Sequence, residues 1–267
     1  MAEQADERWD LVDGLWLYSR VLGVREPAGS RPARVVVLVH GLGMSSRYME
    51  PLLHRLSTRY RVYAPDLPGI GRSDAPAQLL TPAQRAAVLR KWMDVVGLER
   101  PALLAHSAGC EVARQVAEQD PDHVSCLILA SPAPDPSRRH VPQQASRLML
   151  DGLRESPSLL LLAVRDYTDA GLRRMLHTLR AALHHNRHLR RASHTGADNH
   201  RRITPPTLVV HGQRDPVVSQ QWAQTVAELA TDGTLVTVPD TPHALNYTAP
   251  AALADVAEPF LDRHLRD

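Results

Sequence analysis

Hydrophobic residues along this chain fall into two periodicities. At 34–40 the run Val-Val-Val-Leu-Val has no polar interruption, as expected for a strand buried on both faces of a parallel sheet. Similar short apolar runs occupy 60–64, 102–105, 124–130, 207–210 and 234–238. Between several of them, at 47–56, 82–96, 111–118, 218–229 and 251–265, apolar positions recur at helical spacing. Strand and helix alternate, which predicts an α/β protein with a mostly parallel central sheet flanked by helices. Before this core, 9–23 is rich in Leu, Val, Trp and Tyr around Asp13-Gly14, a turn pair that predicts an antiparallel hairpin. The rhythm stops at 132–205, where no strand pattern occurs and helical segments such as 159–164 and 172–183 follow a Pro- and Arg-rich stretch. We read 132–205 as a helical insertion into a core formed by 1–131 and 206–267.

Composition narrows the class. With 267 residues, 43% hydrophobic and 22% charged, the chain can bury a full α/β core and is neither fibrous nor disordered. A net charge of +2 is too small on its own to call for a nucleic acid or a membrane surface as partner. The first eight residues are polar and acidic and no later stretch has the length of a membrane span, so the sequence predicts a cytoplasmic protein. Cys110 and Cys126 fall in a helix and a strand, where buried free thiols are expected.

The candidate chemistry centres on Ser107. Residues 101–105 form an apolar strand, His106-Ser107-Ala108-Gly109 follows, and Val112, Ala113, Val116 and Ala117 then recur at helical spacing. A serine thus sits at the apex of a strand–turn–helix. The small residues Ala105 and Gly109, two positions either side, would let the two backbones approach. The plainer reading is a serine that caps a helix.

This stretch resembles the nucleophile elbow of the α/β-hydrolase family, Gly-x-Ser-x-Gly, with Ala105 in place of the first glycine. His40-Gly41-Leu42-Gly43, after the first buried strand, resembles that family's oxyanion loop, and 66–74 resembles its Asp-x-Pro-Gly-x-Gly-x-Ser turn, a structural loop in which Arg72 could pair with a carboxylate. The resemblance implies oxyanion-hole donors at the backbone N–H groups of Leu42 and Ala108, with His40, Gly41, Gly43 and His106 in support. It also implies that 132–205 is a cap.

A serine hydroxyl needs a base, and the base needs a group that fixes its tautomer. His243 lies in the loop after the last strand, whereas His211 closes a strand and reads as structural. Asp215, in the loop after 207–210, is the candidate acid. Its alternative role is to cap a helix starting near Val217, with Pro216 in the first turn, and Asp240, three residues from His243, competes for the acid's place. The order Ser107, Asp215, His243 is the one the family uses.

The resemblance implies a serine hydrolase whose partner is a small-molecule substrate, a carboxylic ester, lactone or thioester, without a cofactor. Ser107 argues against family members that use an aspartate nucleophile. A carbon–carbon hydrolase of the same fold is an alternative, although Ala244 and Met44 stand where such enzymes usually carry Trp and an extended Gly-Pro loop. A ligand-binding protein on the hydrolase scaffold is another. A dinucleotide site at Gly41-x-Gly43-x-x-Ser46 lacks the third glycine and a following acidic residue. His184, His185, His188, His194 and His200 could suggest a metal, but no metalloprotease-type carboxylate accompanies them, and the arginines between them favour a solvated basic face; no metal is expected.

Overall fold

In a computed structural model, residues 4–24, 34–41, 43–133, 135, 155, 158–159, 161–162, 164–166 and 203–265 are described. The chain opens with the expected hairpin, β1 (Asp6–Val12) and β2 (Leu15–Gly23), joined at Asp13 and Gly14. Both turn residues have positive φ, 50° and 81°, the two-residue turn that matches strand twist. Then follow β3 (Val35–Val39), a 3₁₀ turn (Ser46–Met49), α1 (Glu50–Leu56), β4 (Arg61–Pro65), α2 (Pro82–Val96), β5 (Ala102–His106), α3 (Gly109–Gln119) and β6 (Leu127–Ala130). After the long connection come β7 (Thr207–Gly212), α4 (Gln220–Glu228), β8 (Gly233–Val238), α5 (Leu245–Thr248) and α6 (Pro250–His264).

The eight strands form one sheet in the order β1-β2-β4-β3-β5-β6-β7-β8. β1, β2 and β4 pair antiparallel, and every pairing from β4 to β8 is parallel. Uninterrupted apolar runs suit these strands because both faces are covered. Val36, Leu38, Leu104 and Val210 point to one core with Leu52, Leu253 and Leu261, while Val37, Val39, Leu103 and Val209 point to another with Trp92, Val116 and Val226.

Several boundaries differ from expectation. The run 47–56 divides into a 3₁₀ turn and α1, with Pro51 in the first turn of the helix. The strand expected over 124–130 begins only at Leu127, following a 3₁₀ turn at 121–123 and a bend at Ser125. α4 starts at Gln220 with Ser219 as its side-chain cap, not near Val217. The last helix, expected over 251–265, is α6, opened one residue earlier by Pro250, and the short α5 before it was not expected. Of the expected helices in 132–205, the described positions of 158–166 are helical, while 172–183 and the five histidines from His184 to His200 lie outside the described residues. Cys110 and Cys126 are buried free thiols. No helix among the described residues is long and apolar enough to cross a membrane.

Candidate active site

The site lies where β3 and β5 end side by side. From β3 the chain crosses to β4 on one side, and from β5 it continues to β6 on the other, a change of direction that opens a crevice at the carboxyl ends of the strands. Ser107 stands there with φ +53°, a left-handed conformation that costs energy for a serine and is fixed by its surroundings. Its N–H donates to Ala130 O (2.9 Å) and its carbonyl accepts from Cys110 N (3.0 Å). Behind it Gly109 is forced by contact, since a Cβ would lie 2.5 Å from His40 O and 2.6 Å from Val39 O. Ala105, at the family's first glycine, is accommodated fully buried. Cys110 Sγ donates to Ala105 O (3.3 Å) and Ala130 O (3.4 Å), and burial pushes its thiol well above the usual range, so it tightens the turn without reactivity.

The three singled-out side chains meet. Ser107 Oγ lies 3.0 Å from His243 Nε2, and His243 Nδ1 lies 2.8 Å from Asp215 Oδ2. These partners assign the proton of neutral His243 to Nδ1, leaving Nε2 as the acceptor for the hydroxyl. Asp215 caps no helix, since α4 begins only at Gln220; its Oδ1 instead holds the turn after β7, accepting from Val217 N (2.7 Å) and Val218 N (2.9 Å). Burial opposes its ionisation, but the His243 ring, the bond from it and the Val218 and Ser131 donors outweigh that and hold the carboxyl at about 2. Asp240 points elsewhere and pairs with Arg214 at the surface (2.7 Å). His211 is buried in β7, as a structural residue should be.

His40 and His106 are both buried and neutral. His40 Nδ1 donates to Gly41 O (2.8 Å) while Nε2 accepts from Leu67 N (2.9 Å), so the ring ties the loop after β3 to the turn at 66–74. Its pKa is lowered by burial. His106 Nε2 donates to the carbonyl of His243 (2.9 Å), and burial followed by the nearby His243 pushes it down to about 3. In the turn at 66–74, Asp66 accepts from Ser46 N (2.6 Å) and Arg72 N (2.8 Å), and Arg72 pairs with Glu7 (2.6 Å), the structural role expected of it.

Of the expected oxyanion donors, the Ala108 N–H at the start of α3 has no partner among the described residues. Leu42 lies outside the described residues. Gly41 passes close to the serine, since a Cβ there would lie 3.3 Å from Ser107 Cβ.

Three carboxylates of the β6–β7 connection were not anticipated. Asp135 accepts from Ser219 N (2.9 Å) and Oγ (2.5 Å). Asp166 accepts from Ser45 N (3.1 Å) and Oγ (2.7 Å) and pairs with Arg47 (3.1 Å). Glu155 Oε1 accepts from Ala244 N (2.7 Å) and Oε2 from Thr248 Oγ1. Leu159 and Leu162 pack on the core while Leu161 is exposed.

An eight-stranded sheet of this order, with a serine, a histidine and an aspartate meeting at its carboxyl edge, defines the class of α/β-hydrolase folds. The Alpha/beta hydrolase family, a family of hydrolase-type enzymes, matches residues 36–256, and the chain belongs to it. An uncharacterized protein of Mycobacterium tuberculosis is 40% identical over 104 residues, 39% of this chain and 30% of that protein. The chain therefore spans about 30% of the length of this relative. Among solved structures, an esterase of Thermogutta terrifontis superimposes with a TM-score of 0.76 over 98% of this chain and 100% of that one, at 19% identity. The enol-lactonase of Burkholderia xenovorans does so with a TM-score of 0.74 over 96% and 100%, at 20% identity. At such identities the likeness is one of fold.

Proposed function

We propose that this protein is a serine hydrolase that cleaves a carboxylic ester, or a related lactone or thioester, through an acyl-enzyme on Ser107. The observation that carries the reading is the line of contacts from Ser107 Oγ through the His243 ring to Asp215, at 3.0 and 2.8 Å. Ser107 would attack the carbonyl carbon as His243 Nε2 takes its proton, and Asp215 would stabilise the imidazolium while keeping the ring oriented. The negative charge on the carbonyl oxygen would be met by the Ala108 N–H and, on the reading of the sequence, by that of Leu42. Collapse would expel the alcohol or thiol as His243 returns the proton, and water would repeat the cycle to release the acid.

A fluorophosphonate probe tests the nucleophile. We expect labelling of Ser107 in folded protein, lost in Ser107→Ala, followed by turnover of at least one member of a panel of acyl esters, lactones and thioesters. A folded protein that takes no label and turns over none of the panel would overturn the reading.

A further inference from the structure

One peptide unit of the site is gripped from both sides. Its carbonyl, that of His243, accepts from His106 Nε2 (2.9 Å), and its N–H, that of Ala244, donates to Glu155 Oε1 (2.7 Å). Glu155 is 8% exposed, and its second oxygen is taken by the Thr248 hydroxyl across α5. A buried carboxylate is expensive unless its oxygens are bonded, so these two donors define where Glu155 sits. His106 is equally constrained, lying 4.9 Å from the His243 ring and edge-on to Tyr48 at 5.4 Å between ring centres. Among the described residues its buried Nδ1 has no partner, so the ring's hydrogen bond there is the one to His243.

We infer that Glu155 is a positioning residue for the base, and that with His106 it clamps the His243–Ala244 peptide so that Nε2 stays aligned with Ser107. The inference rests on the reading of Ser107 and His243 as nucleophile and base. Rotation of this peptide would carry the imidazole with it, and the 3.0 Å contact to Ser107 tolerates little displacement. The two grips come from different places: His106 belongs to the elbow that carries the nucleophile, and Glu155 to the connection between β6 and β7. The base is thus referenced to its own nucleophile on one side and to the inserted segment on the other.

The rate of fluorophosphonate labelling at Ser107 tests this without a known substrate. Wild-type labelling is the control for the underlying reading, because its absence would sink that reading and not the clamp alone. With labelling established, Glu155→Ala should slow it at least tenfold. Glu155→Gln, whose amide oxygen can still accept from Ala244 and whose NH₂ can donate to Thr248, should recover most of the loss. His106→Leu and His106→Gln should separate in the same way, since Gln restores a donor toward the His243 carbonyl. The pH dependence of labelling is read alongside: a loosened base lowers the plateau in Glu155→Ala, and glutamine restores it. Wild-type labelling rates in Glu155→Ala or in His106→Leu would overturn the clamp, as would equal losses in the alanine and glutamine variants of Glu155. If Glu155→Ala does not fold, the His106 pair and Glu155→Gln decide by the same criteria, and a glutamine variant that folds yet labels more than tenfold slowly counts against it.

Discussion

Ser107 Oγ stands 3.0 Å from His243 Nε2, within reach of direct proton transfer. On the proposed reading, removing the hydroxyl takes away the nucleophile and leaves the crevice otherwise intact. Ser107→Ala should therefore lower turnover of any substrate found by at least about 10³-fold. Its thermal midpoint should stay close to wild type, and a mutant retaining near-full activity would show that another group attacks.

Asp215→Asn separates the two roles of this side chain. An asparagine Oδ1 can still accept from Val217 and Val218, so the turn after β7 should survive. Its NH₂ would face His243 Nδ1 and favour the tautomer that cannot accept from Ser107. We expect a loss of about 10²–10⁴-fold in kcat with little change in KM. Steady-state kinetics with denaturation of the same sample decides this, since loss of fold and loss of tautomer control would move different readouts.

Much of this arrangement was legible because each member lies in a loop directly after an apolar strand: Ser107 after β5, Asp215 after β7 and His243 after β8. Strands covered on both faces must be apolar throughout, so their runs stand out and mark the loops between them. Boundaries were less legible where local geometry overrode periodicity, as at Pro51, which sits in the first turn of α1 and divides the continuous pattern of 47–56. Glu155 and Asp166 could not be found from sequence for a different reason. Their partners at the site include backbone N–H groups, of Ala244 and Ser45, at separations of 89 and 121 residues. Every residue but proline offers such a donor, so no side-chain pattern announces the pairing.

His106 gives the fold a pH dependence. Its pKa is lowered to about 3 in the folded protein by burial and by His243, against 6.5 for the exposed ring. Between these values the unfolded chain binds a proton that the folded one refuses, so stability is complete above about 6.5 and falls as pH drops toward 3. The slope from one such histidine approaches about 1.4 kcal/mol per pH unit. His106→Gln abolishes that titration, so the stability gap between wild type and variant should narrow as the medium is acidified. Urea titrations at pH 7, 6 and 5 measure it, and parallel losses in both proteins would mean that this ring does not carry the effect.

Gly109 and Gly97 offer a paired test of whether steric contact or backbone freedom matters more at the elbow. Gly97 closes α2 with φ +77° and has nothing within 4 Å of an added Cβ, so Gly97→Ala meets only the left-handed penalty, about 1–2 kcal/mol. At Gly109 the added methyl would lie 2.5 Å from the His40 carbonyl and 2.6 Å from that of Val39, so backbone must move. The end of β3 and the start of α3 would separate, at a cost of about 2–4 kcal/mol. Because Ser107 sits two residues before Gly109, the same movement displaces its hydroxyl from His243. Gly109→Ala should therefore lose both stability and fluorophosphonate labelling, whereas Gly97→Ala should lose stability alone. Denaturation midpoints and labelling rates on the two variants separate these effects, and a Gly109→Ala protein that labels at the wild-type rate would show that the elbow absorbs the methyl without moving its serine.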